Sequence, residues 1–279
     1  MITFDLSPSY KGEGISEGLE RGVLVFFDDK NLIQEGMGLG TVALRTRNLT
    51  YFSRSSKLKR LSVNEYVKEF YIDTIMNWKL FNKRSMFLTK IIEEFGNFYK
   101  KEGGSTQDFL LTMGVWLRKL FGITSEMTNY KRLGKVIFNY KFLKNQVKVS
   151  VDFSQILKDN PEKLKFLCIL NELGGDYFNR SKIGKQIRPA PSGWSKIKDS
   201  KSLEKIKLYS EGLKLEFGIE ILRILPICKI NYFFGRENIA NYCWSGFGME
   251  IDINSIDSNA EQCLIEYIFK FDLAEDREV

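Results

Sequence analysis

Apolar and polar side chains alternate with a period of two along much of this chain, and no other feature constrains its fold as strongly. Leu213, Leu215, Phe217, Ile219 and Ile221 alternate with Lys214, Glu216, Gly218 and Glu220. Cys263, Ile265, Tyr267, Phe269 and Phe271 alternate with Glu266, Lys270 and Asp272. Val136, Phe138, Tyr140 and Phe142 face Val147, Val149, Val151 and Phe153 around Lys144-Asn145, which predicts a hairpin over 135–143 and 146–154. Successive strand residues point to opposite faces, so this pattern describes antiparallel strands with one buried and one wetter face.

The remaining strands follow the same rule. Residues 63–81 form the longest candidate, and that length calls for a bend or bulge. An opening hairpin is expected over 19–27 and 32–47, turning at Asp28-Asp29-Lys30-Asn31. Elsewhere the period changes. Leu88, Ile91, Ile92, Phe95 and Phe98, then Phe109, Met113, Trp116 and Leu120, recur at spacings of three and four, which predicts a helical hairpin over 85–121. Asn160-Pro161-Glu162 reads as the start of one further helix, ending at Gly174-Gly175. Residues 176–204 lack periodicity and read as a long basic loop or linker.

Roughly ten to twelve strands with few helices, and no β-α-β-α rhythm, make this an α+β chain of mainly antiparallel β class, with large barrel- or sandwich-like sheets. Residues 1–279 are expected to form a single β-rich domain or two β halves, 1–175 and 205–279. A short echo supports the second view: Glu17-Gly18-Leu19 recurs as Glu211-Gly212-Leu213, and Gly36-Met37-Gly38-Leu39 as Gly246-Phe247-Gly248-Met249. At the level of fold alone, the architecture is similar to lipocalin-like barrels that hold a ligand.

Composition excludes several chemistries. The chain has no histidine. That removes Ser-His-Asp and Cys-His catalysis, the usual zinc and non-haem iron ligand sets, and the ordinary proton shuttle near neutral pH. Cys168, Cys228, Cys243 and Cys263 show no C-x-x-C spacing and sit in apolar runs, as buried free thiols do in a reducing compartment. No signal-peptide pattern opens the sequence and no apolar run is long enough to span a membrane, so a cytoplasmic location is expected. A net charge of +7 favours anionic partners without naming one.

Candidate sites follow from charge and glycine placement. Gly36-x-Gly38-x-Gly40 has the wrong spacing and the wrong following element for a dinucleotide loop. It reads as a place where a strand bends, where another group lies close, or where a ligand finds room. Arg45 and Arg47 share a strand face, with Tyr51 and Arg54 just beyond, and an arginine fork binds a carboxylate or phosphate bidentately. Glu35 and Asp73 are the candidate catalytic carboxylates, whereas the Glu250-x-Asp252 pair is expected to face solvent. Arg180, Lys182, Lys185 and Arg188, followed by Trp194, interleave cations with an aromatic as a polyanion or nucleic-acid surface would. No metal and no cofactor is assigned. The leading expectation is a soluble β protein that binds a small, partly apolar anionic ligand. A histidine-independent enzyme using a carboxylate with Tyr or Lys in the same cavity, and a nucleic-acid-associated protein using the basic loops, are the alternatives.

Overall fold

The computed structural model describes residues 1–6, 17–34, 36–46, 49–80, 83–85, 91, 120–160, 164–239, 242–257 and 259–274. Its strands are β1 (Ile2–Asp5), β2 (Leu24–Phe27), β3 (Lys30–Asn31), β4 (Gly38–Arg45), β5 (Thr50–Arg60), β6 (Glu65–Leu80), β7 (Lys83–Arg84), β8 (Ile123–Phe142) and β9 (Gln146–Asp152). They continue as β10 (Phe166–Gly174), β11 (Arg180–Ile183), β12 (Gln186–Pro189), β13 (Gly193–Ile197), β14 (Ile206–Ser210), β15 (Leu215–Leu225), β16 (Ile230–Ile239), β17 (Tyr242–Asp252) and β18 (Leu264–Leu273). Among the described residues two short helices, α1 (Ser154–Asp159) and α2 (Ser200–Glu204), interrupt them.

β1, β2 and β3 form a small sheet. The other fifteen strands form one sheet with the hydrogen-bonded order β12-β11-β14-β15-β18-β9-β8-β6-β5-β4-β10-β17-β16-β13, and β7 pairs beside it on β6. Every pairing between named strands is antiparallel. The expected closed barrel is not present among the described residues, because the end strands β12 and β13 do not pair with each other. Only Ala190–Ser192 separates them in the chain, which keeps Pro189 and Gly193 within roughly 15 Å.

Two flanks of the sheet meet across a shared core. Phe138 and Tyr140 of β8, Val147 and Val149 of β9, and Tyr267 and Phe269 of β18 pack in one cluster with Val42 and Leu44 of β4, Leu167 and Ile169 of β10, and Phe247 of β17. Polar contacts pin the flanks together. The Tyr140 hydroxyl donates to the Gly40 carbonyl at 2.7 Å, and the Tyr267 hydroxyl donates to Asn171 Oδ1 at 3.1 Å. The Gly40 amide donates to the same Asn171 oxygen at 3.0 Å.

Several local expectations are corrected. The stretch that follows Asn160-Pro161 is not a helix: Phe166–Gly174 is the strand β10, between β4 and β17. A strand buried on both faces needs no alternation, so its apolar run cannot be told from a helix by period. Residues 161–163 lie outside the described residues, and the helix in this region is α1, just upstream. The expected loop 176–204 is largely structured, holding β11, β12, β13 and α2. The β11–β12 hairpin sits at the end of the sheet, and β12, wholly exposed, has no buried face to impose a period. The opening hairpin turns on two residues, Asp28 and Asp29, at φ of 45° and 66°. β4 then leaves that hairpin to pair with β5 and β10. In β6 the register shifts between Ile72 and Thr74, which supplies the bend its length requires. The helical hairpin expected over 85–121 falls almost entirely outside the described residues.

Candidate functional site

The strands β4, β10 and β17 have two differently used faces. Leu167, Ile169 and Leu173 of β10 point into the core, whereas Cys168, Leu170 and Glu172 line a cavity on the opposite face. Ala43 and Arg45 of β4 and Gly248 and Glu250 of β17 line the same cavity. Its walls carry aromatic rings from four further strands: Phe52 of β5, Trp78 of β6, Trp194 of β13 and Phe233 of β16. The volume is about 290 Å³, near the lower end of the range for small-molecule sites.

Arg45 is the one cation among the described residues that line this cavity. Its Nη1 donates to Glu250 Oε2 at 2.7 Å, and its guanidinium lies 5.9 Å from the centre of the Phe166 ring. Its Nε and Nη2 donate to no other described residue and are not sealed from solvent. The Glu250 carboxylate also accepts from Asn231 Nδ2 at 3.4 Å. Glu250 is 9 % exposed, which corrects the expectation of a solvent-facing Glu250-Asp252 pair. The parity was right, since Phe247 and Ile251 point inward, but the outer face is roofed by the cavity walls rather than by water. Asp252 instead accepts from the Asn254 amide at 3.1 Å at the start of a short 3₁₀ turn.

At the other end of the cavity, Glu172 Oε2 accepts from the Met37 amide at 3.1 Å. Gly38 of β4 and Gly246 of β17 both lie level with Glu172, one on each side. The two glycine runs of the sequence echo therefore flank one strand, offset by two residues from the alignment of their letters. Trp194 stacks on Trp244 with ring centres 4.2 Å apart, and the Trp244 indole donates to Glu237 Oε2 at 3.2 Å.

The other residues singled out in the sequence are dispersed. Tyr51 lies on the core side of β5 against Tyr130, with ring centres 5.7 Å apart. Burial first, then the neighbouring Tyr130, pushes the Tyr51 phenol above its ordinary value. Arg54 packs on Gly18 and donates to the Met127 carbonyl at 3.4 Å, so it does not join Arg45. Asp73 accepts from the Arg54 amide at 3.0 Å, from Thr74 at 3.1 Å and from the Ser55 hydroxyl, at the bulge between β5 and β6. Glu35 and Arg47 lie outside the described residues. Arg180 pairs with Glu211 at 3.0 Å and Lys182 with Glu216, on the β11–β12 hairpin and its neighbours. Lys185 and Arg188 are exposed there, Arg188 donating to Gln186 at 2.7 Å. Trp194 belongs to the cavity, on the strand at the opposite end of the sheet path.

The glycines of β4, and Gly22 beside it, sit where other atoms come close rather than where a ligand finds room. A Cβ on Gly22 would collide with the Leu39 carbonyl, one on Gly38 would come within 3.0 Å of the Val23 carbonyl, and one on Gly40 within 3.1 Å of the Tyr140 ring. Sequence reasoning missed Glu172, Trp78 and Phe52 as site residues. The signal for Glu172 was the glycine echo, read as a repeat rather than as two flanks of one strand.

No group of three or more metal-ligating side chains occurs among the described residues. No helix among them is long and apolar enough to cross a membrane. Comparison with known proteins finds no matching family model, curated protein or solved structure.

Proposed function

We propose that this protein binds a small, partly apolar anionic ligand in the cavity over β4, β10 and β17. The observation that carries this reading is the half-used fork of Arg45. Glu250 engages Nη1 alone, so the Nε–Nη2 edge is left to take a carboxylate or phosphate side-on. Glu250 aims the guanidinium, and the Phe166 ring lies 5.9 Å from it, so the cation is ordered before a ligand arrives. The rings of Phe52, Trp78, Trp194 and Phe233 supply the apolar wall. The two flanks of the curled sheet would form a sandwich-like support for it.

The enzyme reading has less to stand on. Asp73 spends its oxygens on a bulge and does not line the cavity. The nucleic-acid reading draws on Lys185 and Arg188, while Arg180 and Lys182 are matched by acids.

Phenylbutyrate and its amide test the proposal, followed by tryptophan fluorescence, because Trp78 and Trp194 line the cavity. The carboxylate should bind about tenfold or more tighter than the amide, the worth of a charge-assisted hydrogen bond. Arg45→Lys keeps the charge opposite Glu250 but lacks the fork, and should lose most of that preference. Equal binding of acid and amide, or no saturable binding, would sink the reading.

A further inference from the structure

Rings wall the cavity from two sides. Phe233 lies directly opposite Gly248 across the β16–β17 pair and so shares its face. The Trp194 ring lies over the same glycine, since a Cβ on Gly248 would come within 3.3 Å of it. Phe52 lies opposite Thr74, and Trp78, further along β6, repeats the face of Thr74. In the sheet, β6 and β5 stand on one side of the floor strands, and β16 and β13 stand on the other. The floor between them carries small side chains: Ala43 and Glu250 lie level with Cys168, and Gly248 lies level with Leu170. Ring-on-ring contacts add roughly two- to tenfold in affinity beyond what burial of apolar area supplies. A cavity built this way therefore distinguishes an aromatic body from a saturated one of the same size.

Size and charge narrow the ligand further. A volume of about 290 Å³ is about ten times the share of one water in the liquid, which accommodates one ring and a short chain. The described lining residues carry one cation, Arg45, and two acids, Glu172 and Glu250. Arg45 is already matched by Glu250. A carboxylate brings a single charge to the open edge of the Arg45 fork. A phosphate monoester above pH 7 brings nearly two. The second charge would meet no second cation among these residues and would add its own cost of desolvation.

We infer, building on the reading that Arg45 holds an anion, that the ligand is an aryl monocarboxylate: one aromatic ring on a short chain that ends in a carboxylate. The Arg45 fork takes the carboxylate, and the rings of Phe52, Trp78, Trp194 and Phe233 select the aromatic body.

Calorimetry on the full chain at pH 8 tests this with phenylbutyrate, cyclohexylbutyrate and phenylpropyl phosphate. Phenylbutyrate should bind about fivefold tighter than the cyclohexyl acid and about tenfold tighter than the phosphate. Apolar burial alone would reverse the first ranking, because the saturated ring offers more apolar surface. Phe233→Leu should narrow the gap between the two acids, with binding still sensitive to Arg45→Lys. The ranking on the unaltered protein stands as the test if Phe233→Leu does not fold. Equal or tighter binding of the cyclohexyl acid or of the phosphate, or an unchanged gap in folded Phe233→Leu, overturns this inference and leaves the Arg45 reading intact. Failure of all three to bind, or binding insensitive to Arg45→Lys, overturns both.

Discussion

Arg45 of β4 and Glu250 of β17 form an ion pair of 2.7 Å although 205 residues separate them and a whole strand lies between them. Arg45 is level with Phe166, and Glu250 with Cys168, so the pair closes on a diagonal over β10. Two strand spacings amount to about 10 Å, which an extended arginine and a glutamate together can cover. Cys168, a short side chain, lies beneath the contact and leaves room for it.

Removing one member of this pair should leave the other charge desolvated and unmatched. Glu250→Ala should lower unfolding stability by about 3 kcal/mol, measured by urea denaturation. Arg45→Met combined with Glu250→Met should cost less than the sum of the single changes, with a coupling above about 1 kcal/mol. Strict additivity would show that the contact is not an energetic unit.

Alkaline pH should weaken the fold through its buried phenols. Tyr140 and Tyr267 are pushed up from 10.0 by burial. A group whose folded value is raised holds its proton longer when folded, so its contribution is fully present below pH 10 and declines as pH rises past it. The Cys228 thiol, raised by burial from 9.0 to about 11, starts the decline near pH 9. Stability should therefore fall from about pH 9 and steepen above 10, by up to about 1.4 kcal/mol per pH unit for each tyrosine. Tyr267→Phe should lose about 1 kcal/mol at neutral pH with its hydrogen bond to Asn171, yet show a shallower alkaline slope. An unchanged slope in that variant would remove Tyr267 from the account.

Glycines of this chain should divide sharply under substitution. Gly22→Ala drives a Cβ into the Leu39 carbonyl, and the backbone there is fixed by the Val23–Leu39 bridge. It should cost about 3 kcal/mol or more, or prevent folding. Gly212→Ala meets nothing within 4 Å and should change stability by less than about 1 kcal/mol, in the stabilising direction where the unfolded chain loses freedom. Thermal melts of the two variants compare them directly; similar losses would mean that the close approach at Gly22 does not hold the segment.

Much of the sheet was legible because its strands are solvated on one face. The period-two pattern marked β6, β9, β15 and β18, but only the C-terminal part of β8, from Lys135 onward. It failed at β10, where both faces are covered, and at the β11–β12 hairpin, where β12 is open on both. Of the site, Arg45 was legible as a member of an arginine pair and Trp194 as an aromatic beside cations. Their actual surroundings were not, because each contacts partners from distant parts of the chain: Glu250 for Arg45, Gly248 and Trp244 for Trp194.

By itself, the sequence determined what each residue can do locally. It set the strands that are solvated on one face, which face of each is apolar, and that no imidazole is available for catalysis or metal binding. Tertiary structure decided which strands became neighbours, and with that every property of the cavity. Alternation specifies a buried face but not what covers the other one. Once β5, β16 and β13 bring Phe52, Phe233 and Trp194 around the outer face of β4, β10 and β17, Glu250 changes from a surface acid into the partner of Arg45. Glu172 likewise becomes a residue of the cavity wall. Pairing between strands as far apart as β4 and β17 depends on packing summed over the whole sheet, and no local pattern carries that sum.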